Sequence, residues 1–276
     1  MPENIFHGLE LKLKTDFNKK YTLAYPTDLT VAQRVYITEK FPEILLTKSK
    51  LDIFHIMDAV FYVVKTGCQW KMLPQDFPGW RTCYNFFRKW TDTGVFSCMM
   101  QSLVGIVRES CGKDSSPTVG VIDCQSVRCG LPQSQKGVDG GKKIKGIKRH
   151  ICVDSNGFPL SVATTTANVH DSKAAYELLA GVAVKFHSIN KIKADKGYRG
   201  RLVELLDHTL DISLECVKSN FGTSEFRPID GRWVVERRFA WLDNFRRLCR
   251  NYEQWLYTAK GMVQIACVMF MLKFIT

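Results

Sequence analysis

The sequence predicts a mixed α/β domain preceded by an all-helical segment, and three observations carry that prediction. Apolar residues recur with a period near 3.6 throughout the stretch ending at about Gly112. A polar, turn-rich break follows at Lys113-Asp-Ser-Ser-Pro117. Beyond it, short β-branched runs alternate with amphipathic stretches, the pattern of a central sheet covered by helices. The expected division is therefore 1–113, helical, and 114–276, α/β with a C-terminal helix.

In chain order, Thr30 is placed to cap a helix over Val31–Lys40, which Phe41-Pro42 ends. Ile53, Phe54, Met57, Val60, Phe61 and Val64 form one stripe of a helix over 51–66, and Gly67 stops it. A loop leads to Trp80–Trp90, where aromatic residues are mixed with Arg81, Asn85, Arg88 and Lys89. Gly94 precedes a further helix over Val95–Ser110. After the break, Val119–Asp123 reads as a short apolar strand. The runs 148–154 and 159–166 flank Ser155-Asn-Gly157, a hairpin turn signal. A helix over 171–186 with Asp171 as its acidic cap, a strand over 191–195, a helix over 200–208 and a strand over 212–218 follow. The last part reads as one long helix from about 231 to 253 and a buried terminal helix at 261–272.

Composition narrows the function classes. The chain has 276 residues, 45% of them hydrophobic, enough for a sizeable core. A net charge of +12 points to a polyanionic partner, for which nucleic acid is the leading case. No signal peptide or membrane span is expected, since residues 1–21 are mixed polar and 261–272 is too short to cross hydrocarbon. The ten cysteines are scattered without any C-x-x-C pair, which argues against a paired-cysteine zinc site and for reduced thiols in a cytosolic protein.

Three acids stand out. Asp123 closes an apolar strand, Asp195 follows Ile192-Lys-Ala, and Glu236 lies in the helical Arg232-Trp-Val-Val-Glu-Arg-Arg238. Strand ends in open α/β sheets are where distant residues converge. Clustered carboxylates are stable near neutral pH when cations lie between them, and hard oxygen donors favour Mg²⁺ or Mn²⁺. A pair of such ions suits phosphodiester chemistry. The basic surroundings agree: Ser126 and Arg128 follow Asp123, and Lys196 and Arg199 follow Asp195. Glu236 is expected in a row with Arg232 and Arg247 on the long helix. Between 136 and 149 lie Lys136, Lys142, Lys143, Lys145, Lys148 and Arg149 against one acid, Asp139. Glycines at 137, 140, 141 and 146 make that segment a flexible basic loop suited to DNA-backbone contact. His150 and His170 read as structural.

The segments Ile122-Asp-Cys-Gln-Ser-Val-Arg128, Gly140 to His150, Ala167-Asn-Val-His-Asp171, Ala194-Asp-Lys-Gly-Tyr198 and Arg232 to Leu242 together closely resemble the DDE transposases of bacterial insertion sequences. The branch is the one that includes insertion sequence five, and the resemblance reaches the N-terminal part through Thr66–Pro74 and Phe77–Trp80. It implies an RNase H-like catalytic domain in which Asp123, Asp195 and Glu236 hold two Mg²⁺ ions. It also implies a transposase that binds terminal inverted repeats, cleaves the element ends and joins their 3′-hydroxyls to target DNA. Such an enzyme acts on double-stranded DNA as a homodimer or higher oligomer, in the cytoplasm with the nucleoid. A stand-alone nuclease and an inactive DNA-binding derivative are the alternatives. The related signature has Tyr three positions before Arg232 and Lys seven beyond Glu236, where this chain has Ile229 and Asp243. Arg246 and Arg247 are the candidate replacements for that Lys. The N-terminal helices fit a helix-turn-helix reader, with Arg81, Asn85, Arg88 and Lys89 facing the groove.

Overall fold

In the computed structural model, residues 24–45, 51–216 and 232–275 are described. The described residues of the N-terminal part are helical, as the periodicity requires. Helix α1 (Val31–Lys40) opens with a capping box between Thr30 and Gln33. After the short α2 (Pro42–Leu45) comes α3 (Ile53–Thr66), capped by the Asp52 side chain and ended by Gly67 at φ 73°. Glycine tolerates that left-handed backbone. Here it is also needed for space, because a Cβ on Gly67 would sit 2.9 Å from the Arg246 Cβ. Helices α4 (Trp80–Asp92) and α5 (Val95–Ser110) are joined by a turn with Gly94 at φ 75°.

The described residues of the second part form a six-stranded sheet. Its strands are β1 (Val119–Arg128), β2 (Gly137–Asp139), β3 (Ile144–Asp154), β4 (Pro159–Thr166), β5 (Lys191–Ala194) and β6 (Ser213–Cys216). β1, β3 and β4 are antiparallel neighbours, β2 pairs the start of β3, and β5 and β6 continue the sheet parallel to β1. Helix α6 (Asp171–Lys185) packs on β3 and β4, and α7 (Arg201–Leu210) packs beside α6 and β6. Helix α8 (Arg232–Leu242) lies against β1 and β3, and α9 (Leu256–Met271) against β4, α3, α4 and α5. The core is continuous: Val104 of α5, Leu160 of β4 and Val263 of α9 belong to one buried cluster. A buried Arg108–Asp154 ion pair also ties α5 to the end of β3. No helix among the described residues is long and apolar enough to cross a membrane.

Three expectations need correction. The long helix over 231–253 ends at Leu242. The chain then turns through Asp243-Asn244 into a 3₁₀ turn, Arg246–Leu248, and tucks under the end of β1, where Gly130 N–H donates to the Asn251 carbonyl at 2.7 Å. Periodicity misled because the 3₁₀ turn also buries Phe245 and Leu248, three residues apart. The strand expected at 119–123 runs on to Arg128. The basic stretch 136–149 is a hairpin rather than a flexible loop. Asp139 shapes its turn, accepting from the Gly141 and Lys142 N–H groups at 3.0 Å and from the Ser126 hydroxyl at 2.6 Å.

Gly146 is fixed by packing, since a Cβ there would lie 1.8 Å from the Val127 carbonyl oxygen. Gly146→Ala is therefore expected to force β1 and β3 apart and cost more than about 2 kcal/mol. A lowered urea midpoint with an unchanged slope is the outcome that checks it.

Candidate active site

The sheet brings two of the three acids onto neighbouring chain segments. β1 and β5 pair in parallel with Val121 opposite Lys193. Carrying that register two residues on sets Asp123 opposite Asp195, just past the end of β5, on strands about 4.8 Å apart. Local turns hold each carboxylate. Asp123 Oδ1 accepts from the Cys124 N–H at 2.7 Å, and Asp195 Oδ1 from the Gly197 N–H at 2.8 Å. Both acids are half-buried.

Asp171, read from sequence only as a helix cap, belongs to the same neighbourhood. A Cβ on Gly197 would meet Asp195 Oδ1 at 3.1 Å and Asp171 Oδ2 at 3.9 Å, so both carboxylates border the same backbone position. The Tyr198 phenol is buried beside them. Burial, followed by the charges of Cys124, Asp123, Asp171 and Asp195, pushes its pKa well above the ordinary value. Asp171 bonds Lys148 Nζ at 2.8 Å. Burial alone would raise its pKa, but hydrogen bonds from Lys148 and Cys124, with the charge of Lys148, hold it below the usual carboxylate range. The available signal for Asp171 was its place at the head of a helix directly after a strand, which does not by itself separate a cap from a site residue. His170 supplies the actual cap of α6, accepting from the Ser172 N–H.

Glu236 is exposed on α8. Val234, Val235, Arg238, Phe239 and Leu242 turn inward, and Arg238 donates to the Gly157 carbonyl at 2.6 Å in the β3–β4 turn. The sheet face under α8 is the one that carries Asp123. Arg149 stands opposite Gln125, two residues from Asp123, and donates to the Leu248 carbonyl beyond the end of α8 at 2.7 Å.

The expected DNA contacts divide into two groups. Arg81, Asn85, Arg88 and Lys89 are exposed along one side of α4, opposite the buried Cys83, Phe87 and Trp90. Arg88 Nε also donates to the Tyr257 hydroxyl at 3.1 Å. Arg128, Lys142, Lys143, Lys145, Arg199 and Arg246 are exposed as well, the lysines at or beside the tip of the β2–β3 hairpin. The remaining cations are engaged inside the protein. Arg149 is 2% exposed, Arg247 pairs with Glu253 at 2.7 Å in the interior, and Lys148 is committed to Asp171 and the Val169 carbonyl. Arg247 therefore does not extend the row of Glu236, because the chain has turned before it. Ser126 spends its hydroxyl on Asp139. The side chains of Lys196 and Arg232, and all of Ile229, lie outside the described residues. His150 is fully buried, with Nε2 2.9 Å from Thr165 Oγ1, and burial lowers its pKa to about 4. It is neutral at physiological pH.

Comparison with known proteins identifies the family. A family model described as "Transposase DDE domain" matches residues 114–271, and one described as "Putative transposase of IS4/5 family" matches 40–100. Over 132 residues the chain is 30% identical to the "Putative transposase for insertion sequence element IS402" of Burkholderia cepacia, covering 44% of this chain and 61% of that relative. The chain thus spans less than two thirds of the relative's length. Two solved structures show weak overall likeness. A magnesium complex of the HTLV-2 integrase catalytic core domain has a TM-score of 0.34 and 13% identity, covering 55% of this chain and 83% of its own. The Mos1 transposase paired-end complex with left transposon end has a TM-score of 0.28 and 11% identity, covering 95% and 93%.

Proposed function

Because this chain belongs to the transposase DDE domain family, we propose that it cuts DNA at the two ends of an insertion sequence and joins the freed 3′-hydroxyls to target DNA. The parallel register that sets Asp123 opposite Asp195, on the face overlain by the helix of Glu236, carries the proposal.

The donor set fits a hard divalent cation. Asp123 lies on β1, and Asp195 directly follows β5, its parallel neighbour. Carboxylate donors favour Mg²⁺ or Mn²⁺ over a softer ion. Asp123, Asp195 and Glu236 would hold two such ions, which supply charge neutralisation for the attacking and leaving oxygens of a phosphodiester. The chain's own groups do the rest. Lys142, Lys143 and Lys145, at the hairpin tip beyond Asp123 along β1, bind the DNA backbone together with Arg128, Arg199 and Arg246. The exposed side of α4 enters a groove, with Arg81, Asn85, Arg88 and Lys89 as contacts and residues 1–113 as the end-binding region. Joining two ends requires at least two copies of the chain.

A strand-transfer assay with DNA flanking the gene and Mg²⁺ tests the reading. Joined products are expected. Nicks alone would identify a nuclease, and binding alone a protein without this chemistry. For the binding surface, Arg81→Ala with Lys89→Ala is expected to flatten the dependence of log K on log salt by about 2, one for each phosphate that a removed cation neutralised. An unchanged slope in filter-binding titrations would move the DNA path away from α4.

A further inference from the structure

We propose that Cys124, His150 and Asp171 form a second metal site, distinct from the three acids and selective for zinc-class ions. The Cys124 Sγ, a ring nitrogen of His150 and a carboxylate oxygen of Asp171 all lie within 4.8 Å of one another. The topology explains why they meet. Cys124 and His150 are directly opposite on β1 and β3, so they share one face of the sheet, and the alternation of strands puts Asp123 on the other. Helix α6 packs on β3 and delivers Asp171 from its first turn.

The nitrogen chemistry points to a ligand. His150 is fully buried, Thr165 engages its Nε2, and Nδ1 is buried with no hydrogen-bond partner. Leaving such a nitrogen unpaired costs free energy that a bound cation would recover, with Thr165 fixing the ring from its far side as an outer partner does for ligand imidazoles. Sulfur and imidazole donors favour Zn²⁺ over Mg²⁺, and three protein ligands leave a fourth position for water. At zinc bond lengths, ligand atoms lie roughly 3.5 Å apart, so the cluster has to tighten by about 1 Å. Binding releases the Cys124 thiol proton to solvent. Lys148 pairs with Asp171 and keeps its bond to the Val169 carbonyl, while the Cys124 thiol, which bonds the same carboxylate in the free chain, gives up that hydrogen bond with its proton as the ion takes its place. The site would clamp the start of α6 to β1 and β3 directly behind Asp123.

Cobalt(II) is the probe, because a thiolate ligand gives a near-ultraviolet charge-transfer band that an all-oxygen site does not. Titration of the full chain is expected to produce that band at one ion per chain and to raise Tm. Cys124→Ser should abolish the band, and Asp171→Asn should weaken cobalt binding at least about 10-fold. Asp195→Asn should leave the band intact, which separates this site from the one proposed for DNA cleavage. Absence of the band, or its survival in Cys124→Ser with the fold verified by circular dichroism, would overturn the assignment.

Discussion

Asp123→Asn is expected to leave DNA binding within a few-fold of the parent chain while reducing end cleavage and joining by about 10³-fold or more. The substitution is nearly isosteric, and the Asn carbonyl can still accept from the Cys124 N–H that Asp123 holds at 2.7 Å. Strand β1 keeps its pairing with β3 and β5 because that pairing is backbone. What disappears is a negative oxygen beside Asp195. Metal-assisted charge stabilisation is worth several kcal/mol, and each 1.36 kcal/mol is tenfold in rate, which gives the stated size. Asp195→Asn should behave alike, since the register makes the two acids equivalent neighbours. Cleavage within tenfold of the parent in either variant, scored on end-labelled DNA, would count against the site.

Asp154→Ala is expected to be the most destabilising single change outside that site. Asp154 is fully buried at the end of β3, accepts from the Asn156 and Phe158 N–H groups at 2.9 and 2.7 Å, and pairs with Arg108 of α5. It therefore closes the β3–β4 turn and joins the helical part to the sheet. Removing it strands a buried guanidinium, a defect that typically costs 3–5 kcal/mol, a large share of the about 5–15 kcal/mol that holds a domain together. Urea unfolding measures the destabilisation. Replacing both partners with apolar residues, Arg108→Met with Asp154→Leu, should recover much of it, because no charge is then left unpaired. A change under about 1 kcal/mol for Asp154→Ala alone would show that the pair does not anchor the two parts.

Much of the fold was legible because its signals are local. The cap at Thr30, the break at Gly67 and the turn at Gly94 mark helices with little help from tertiary structure. The hairpin turn at Ser155-Asn-Gly157 likewise separates β3 from β4 as expected, with Gly157 at φ 89°. What failed depends on distant partners. Nothing within 243–253 says that Arg247 will reach the Cys68 carbonyl or that Leu248 will offer its carbonyl to Arg149, yet those interactions hold the segment that follows α8. The hairpin at 137–146 depends on Asp139 meeting Ser126, a residue on another strand. Asp195 stands at a strand end as nominated, Asp123 lies mid-strand because β1 runs on to Arg128, and Asp171 comes near Asp195 only through the packing of α6 on the sheet.

Cleavage by the proposed chemistry requires the oxygens of Asp123, Asp195 and Glu236 to share divalent ions. Anomalous diffraction at the manganese edge, from crystals of the chain with DNA and Mn²⁺, locates those ions. Manganese peaks bounded by the three carboxylates, and missing in Asp195→Asn, are the expected result. Peaks elsewhere, or a Glu236 carboxylate that does not reach any ion bound by the two aspartates, would refute the shared site.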